Sequence, residues 1–244
     1  MDCAIIFEEV GMPGSHAKLV GLDLAGSVQR PTGICFLEGN RAKVSVLYTD
    51  EEILRAIGED VRSVAIDAPL SLPQGRCCLR NDCDCHGKAH FRLCDLELRK
   101  MKIKFFPLTL GPMRQLTVRG MALKNKLEAR GLRVFETYPG AAQDIWGIPR
   151  QKDLKGLRQG LRRFKVRGNW LGAKVTKDEL DALTCALVAR EELRGRAFPI
   201  GDPEEGLMIL PREKSTEQIG KRMAHSAKKP TPYALSFCSG KWPE

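Results

Sequence analysis

No apolar run in this chain approaches the ~20 residues that a membrane-spanning helix requires, so no membrane partner is expected. The opening segment, Met1-Asp-Cys-Ala-Ile-Ile-Phe-Glu-Glu-Val10, is acidic and lacks the basic flank of a secretion signal. A soluble cytoplasmic protein is the resulting expectation, and Met12 offers an alternative start. No internal repeat is present, and no two cysteines stand in a Cys-x-x-Cys pair. Acid is scarce relative to base: 30 acidic against 40 basic residues leave a net charge of +10. That balance favours polyanionic partners, because neutralising phosphates releases counterions. A basic protein with no nucleic-acid partner is the plainer alternative.

What is present is a chain of 244 residues with 43% hydrophobic content, enough for a real core in one domain with insertions or in two small ones. Its nine cysteines are unevenly spread. Cys77, Cys78, Cys83, Cys85 and Cys94 lie together with His86 and His90 among them. In a reducing compartment such a cluster points to metal more than to disulfides. It holds more than enough ligands for one structural zinc. Free surface thiols and an iron–sulfur cluster are the alternatives.

Local patterns place the elements. Leu19, Val20 and Leu22 form a short buried strand ending at Asp23, followed by a flexible Gly26-Ser27 turn. The Gly39-Asn40 step joins two β-rich runs as a hairpin, which gives a three-stranded antiparallel meander. Thr49-Asp-Glu-Glu52 has the capping-box pattern of a short helix to about Ile57. Val61 to Asp67 and Leu132 to Glu136 are further strands, each ending on an acid shortly before a proline. Helices are expected around Lys88 to Lys104, from Pro112 to Gly131, along Lys152 to Arg167 and from Thr176 to Ala189; residues 207–210 are a candidate last strand. The domain scheme is an N-terminal extension at 1–16, a core domain at 17–211 with an insertion at about 73–130 (Cys/His-rich at 77–94), and a basic tail at 212–244.

Acids at strand ends are costly unless a cation or donors meet them. Asp178 and Asp181 stand three apart near a helix start, on neighbouring positions of one face. The helix dipole alone accounts for Asp178, by about 0.3–1 kcal/mol, but not for Asp181 beside the apolar stripe. If Asp23, Asp67 and Glu136 end adjacent strands, all five carboxylates meet at one sheet edge and repel unless divalent cations are present. An all-oxygen ligand set suits Mg²⁺ or Mn²⁺. Two such ions, about 3.5–4 Å apart, can cleave a phosphodiester.

Five ordered motifs carry a resemblance: Gly21-Leu-Asp-Leu-Ala-Gly-Ser27, Ile66-Asp-Ala-Pro-Leu70, Cys94-Asp-Leu-Glu-Leu-Arg99, Glu136-Thr-Tyr-Pro139 and Asp181-Ala-Leu183. Together they resemble the predicted-nuclease family catalogued as domain of unknown function 429, which has an RNase H-like fold. The acid layout is also similar to RuvC-type Holliday-junction resolvases. The resemblance implies an α/β fold with a mixed sheet of strand order 3-2-1-4-5 and helices on its faces. It gives Asp23, Asp67, Asp178 and Asp181 catalytic roles, with Asp23, Asp67 and Asp181 holding the metal and Asp178 assisting; Glu136 joins the catalytic set, its part being a second metal, substrate placement or structure.

The resulting expectation is a Mg²⁺- or Mn²⁺-dependent nuclease acting on DNA or RNA. Ser27, Arg92, Arg99, Arg158, Arg162 and Arg163 are its candidate substrate contacts. For the arginines, intrahelical pairing or a solvated helix face is the competing reading. Two rival functions stand beside the nuclease: a catalytically inactive nucleic-acid-binding protein of the same fold, and an actin-like or sugar-kinase-like ATP-binding protein.

Overall fold

The computed structural model describes residues 17–213 apart from 86 and 88; the expectations for 1–16, for the tail from 214 and for His86 fall outside the described residues. The chain starts with the expected meander: β1 (Lys18–Asp23), β2 (Thr32–Glu38) and β3 (Arg41–Leu47), each antiparallel to the next. Helix α1 (Asp50–Ala56) is held by the Thr49–Glu52 capping box, and β4 (Val61–Asp67) returns parallel to β1. Helices α2 (Leu93–Lys100) and α3 (Gly111–Glu128) precede β5 (Arg133–Glu136). The chain continues with α4 (Pro139–Ile145), α5 (Leu154–Leu161), a two-residue β6 (Arg167–Gly168), α6 (Lys177–Leu193), β7 (Ala197–Asp202) and β8 (Gly206–Pro211).

All strands join one mixed sheet ordered β6-β3-β2-β1-β4-β5-β8-β7. The 3-2-1-4-5 core that the resemblance implies is present, and the β7–β8 hairpin extends it. Sequence patterning misses β7 because Pro199 and Gly201 break its alternation; a proline is tolerated there because β7 is the sheet edge. No described helix is long and apolar enough to cross a membrane.

Each face of the sheet has its own core. Leu19, Ala65 and Phe135 point to the face covered by α4, α5 and α6, while Val20, Leu22, Val64, Ile66 and Val134 point to the face covered by α1 and α3. Helix α3, expected as part of an insertion, is therefore core structure: Leu123 and Leu127 are fully buried against the sheet. Two expected helices are shorter than their sequence patterns. The helix expected over Lys88 to Lys104 is α2, which begins only after Arg92. It ends where Ile103 N–H donates back to the Leu98 carbonyl, with Lys102 left-handed at φ 60°. The basic helix over Lys152 to Arg167 stops at Leu161 and tightens into a 3₁₀ turn, Arg162–Phe164.

Helix α6 lies unusually close to the sheet, and two glycines permit it. A Cβ on Gly21 would come within 2.1 Å of the Ala182 carbonyl oxygen, and one on Gly33 within 2.0 Å of the Asp178 carbonyl oxygen. Gly33 is the register partner of Asp23 on β2, so the first turns of α6 press directly onto the end of β1. Gly21→Ala is expected to lower stability by about 1–3 kcal/mol through overpacking, and to displace Asp181 from Asp23. Thermal unfolding checks this: an unchanged transition would show that the helix can shift without cost.

Candidate active site

Asp23 and Asp67 are register partners at the ends of the parallel pair β1–β4. Neighbouring strands lie ~4.8 Å apart, so these two acids emerge side by side on one face. It is the α6 face, since Gly21 on the same pleat as Asp23 packs against Ala182 and Cys185. From above, α6 brings Asp181, which is 5% exposed, and the half-buried Asp178 one turn before it.

The electrostatics record this crowding. Burial pushes the carboxyls of Asp23 and Asp67 well above the ordinary value of 3.8. Repulsion adds to it, from Asp181 and Asp178 on Asp23, and from Asp23, Asp181 and, least, Glu136 on Asp67. Asp181 rises to about 6, mainly through burial, although a hydrogen bond from Gln143 opposes the rise. Among the described residues, none donates a hydrogen bond to the carboxylates of Asp23 or Asp67. Lys177 and Arg30 are the cations that act on Asp23. The site therefore holds converging acids with too little positive charge to balance them, and all-oxygen donors of this kind fit a hard divalent cation.

Glu136 does not join this group. It pairs in register with Ile66, one residue before Asp67, so it stands on the opposite pleat and faces away from α6. There Arg92 Nη1 and Nη2 donate to its two oxygens at 2.6 and 2.7 Å, and the Leu70 N–H donates at 2.8 Å. Arg92 also grips Asp95, from Nη2 at 2.9 Å and from its own backbone N–H at 2.9 Å. With Arg92 at 2% exposed, the expectation that it contacts substrate is corrected: it is an internal clamp tying α2 to β5. The catalytic expectation for Glu136 is corrected with it, because its lone pairs are already engaged.

The other expected contacts are dispersed. Ser27 lies half-buried in the turn after β1, where its carbonyl accepts from Arg30 N–H. Arg119 steadies this loop by donating to the Ala25 and Tyr48 carbonyls and pairing with Asp50. Arg99 is exposed and stacks over the Phe91 ring at 4.3 Å. On the basic helix, Arg163 donates to the Trp146 carbonyl, Arg158 is half-buried and Arg162 is exposed.

Three residues that sequence reasoning passed over belong to the site. Gln143 on α4 is 1% exposed and donates from Nε2 to Asp181 Oδ1 at 2.6 Å, fixing that carboxylate. Tyr138 follows the end of β5, and its hydroxyl accepts from Arg150 Nη1 at 3.1 Å. Lys177 begins α6 immediately before Asp178. The Tyr138-Pro139 step before a short helix is the one local signal that could have marked this corner.

The cysteine cluster resolves into four ligands. The sulfurs of Cys77, Cys78, Cys83 and Cys85 all lie within 4.8 Å of one another, with Cys77–Cys83 at 3.4 Å and Cys78–Cys85 at 3.7 Å. A tetrahedral site with ~2.3 Å zinc–sulfur bonds has edges of about 3.8 Å, so this group could hold a metal ion. Cys94 is excluded from it: its side chain is fully buried on α2 among Leu98, Ile200 and Leu210. His90 is also separate, with Nδ1 at 3.2 Å from Thr109 Oγ1.

No curated protein matches the chain. One family model does, over residues 21–205, from the glycine that admits α6 to the turn between β7 and β8. That span contains every acid discussed above, and the chain belongs to the family described as "Protein of unknown function (DUF429)".

Proposed function

We propose that the protein is a divalent-metal-dependent nuclease whose centre is Asp23, Asp67 and Asp181, with Asp178 assisting. The observation that carries the reading is the convergence of these acids from two adjacent strand ends and one closely packed helix, with a deficit of positive charge among them. Asp23, Asp67 and Asp181 would hold Mg²⁺ or Mn²⁺. Such ions supply activation of a water and neutralisation of the leaving oxygen in phosphodiester hydrolysis. The protein's own part is positional. Gln143 fixes the Asp181 carboxylate, the glycines at 21 and 33 let α6 reach the strands, and Lys177 offers an exposed cation for a phosphate beside the acids. The test is Mn²⁺-dependent cleavage of single-stranded, duplex and branched DNA and RNA. Absence of cleavage on every substrate would remove the enzyme reading.

The four-thiol group fits a structural zinc. Among described residues, 68–92 contains no helix or strand, so a metal staple would substitute for regular hydrogen bonding there. Purified protein is expected to carry one zinc per chain by elemental analysis, and a Cys77→Ser, Cys83→Ser variant to lose it with a lowered thermal transition. Iron instead of zinc would assign the iron–sulfur alternative. A metal-free protein whose transition is unmoved by chelator would contradict both.

A further inference from the structure

Beside the acids lies a cleft of about 1080 Å³, and its lining is chemically one-sided. Arg99, Lys102, Lys104, Arg150, Lys152 and Lys177 supply six cations, of which Arg150 is already paired with Asp144 just outside the lining, and none of the lining residues is acidic. Between the cations stand Phe91, Phe105, Phe106 and Tyr138. Most of these rings are already used: Phe91 meets Phe105 edge-on at 5.9 Å and carries Arg99 on its face, while Tyr138 donates to the Lys104 carbonyl and lies under Arg150. Phe106 differs. It is 70% exposed, and among the described residues no ring or cation covers it. Its open face is available for stacking, on the same cleft as the lysines.

The cleft and the acids share elements. Lys177 is the residue before Asp178 on α6, and Tyr138 follows β5, the strand beside the one that ends at Asp67. The third wall, Lys102 to Pro107, begins with Lys102 in the left-handed region, where glycine would fit with less strain. Lys102 thus lines the cleft from a backbone position that disfavours a side chain.

We infer that this cleft seats a single-stranded nucleic acid, its phosphates along the lysines and a base stacked on Phe106, and leads the strand to the acids. The inference rests on the nuclease reading for what then happens to the strand. Duplex fits poorly, because its base faces are hidden within the helix and an open aromatic ring has nothing to stack upon. Alternating cations and rings are the chemistry by which unpaired strands are held without regard to sequence.

The test measures binding and cleavage separately. Fluorescence anisotropy in EDTA compares labelled single-stranded DNA, single-stranded RNA and the matching duplex on the full chain, on Phe106→Ala and on a Lys102→Gly, Lys104→Ala double variant. Single strands are expected to bind about tenfold tighter than duplex or better, and Phe106→Ala to remove about that factor from single strands while sparing duplex. The lysine variant is expected to flatten the salt dependence, and the two single-stranded arms identify which nucleic acid is preferred. Equal affinity for duplex, or Phe106→Ala binding like wild type, overturns the inference. Cleavage with Mn²⁺ confined to duplex overturns it too and leaves the nuclease reading standing. Single-strand binding without cleavage of any substrate does the reverse: the cleft's ligand stands and the nuclease reading falls.

Discussion

Asp23→Asn is expected to abolish Mn²⁺-dependent cleavage while making the metal-free protein more stable. The loss should be about a thousandfold or greater, since removing a ligand charge forfeits several kcal/mol of transition-state stabilisation at ~1.4 kcal/mol per tenfold. The gain in stability follows from the direction of the pKa shifts. Burial and the neighbouring acids raise the carboxyls of Asp23 and Asp67 well above 3.8, and Asp181 rises to about 6, chiefly by burial. A raised acid makes the folded state bind more protons than the unfolded one, so stability falls as pH rises from the unfolded value through the folded value. For Asp181 that window runs from 3.8 to about 6, and for Asp23 and Asp67 it begins at the same point. At neutral pH Asp181 is ionised beside the raised carboxyls of Asp23 and Asp67, so repulsion among the three acids weighs on the metal-free protein. Neutralising one member should restore on the order of 1–3 kcal/mol. A purely structural acid would behave oppositely, losing stability on substitution. Thermal unfolding with and without Mn²⁺ distinguishes the two, and wild type alone should be stabilised by the ion at pH 7.

The second large effect is at Arg92. One guanidinium serves Glu136 and Asp95, and all three side chains are buried. Removing it strands two carboxylates in a region with little solvent, and breaking a buried pair in this way costs about 3–5 kcal/mol. For a domain of this size that corresponds to a fall of roughly 6–20 °C in Tm. Arg92→Ala should therefore unfold early in urea as well as in heat. Arg99→Ala, on the same stretch but exposed, should leave stability nearly unchanged. Were Arg92→Ala as stable as wild type, the clamp would contribute nothing to the fold, and a substrate role would return to consideration.

These two residues also show what sequence could and could not reveal. Asp23 and Asp67 are legible because each ends an apolar run with a charge, and burying such a charge demands an explanation whatever the fold. Glu136 shows the same local pattern and is a different object. Its pairing with Ile66 rather than Asp67 sets it on the other face, and a one-residue register offset leaves no trace in a single chain. Arg92 looks like a helix-surface cation in sequence because its partner Glu136 lies 44 positions away. The cysteine spacing announced a metal-sized cluster but not its membership, since Cys94 is drawn into the core under β7 and β8 by helix α2. In sequence the Lys102–Phe106 stretch reads only as the end of a helix. That α2 closes early, at Lys100, with Lys102 left-handed beyond it, is visible only in the backbone.

The closest approach to the central claim is diffraction from Mn²⁺-soaked crystals at neutral pH, with anomalous scattering used to place the metal. Density bounded by Asp23, Asp67 and Asp181, and absent in Asp23→Asn, is the predicted result. Crystals that take up no manganese between these acids, at concentrations that support cleavage, would contradict it.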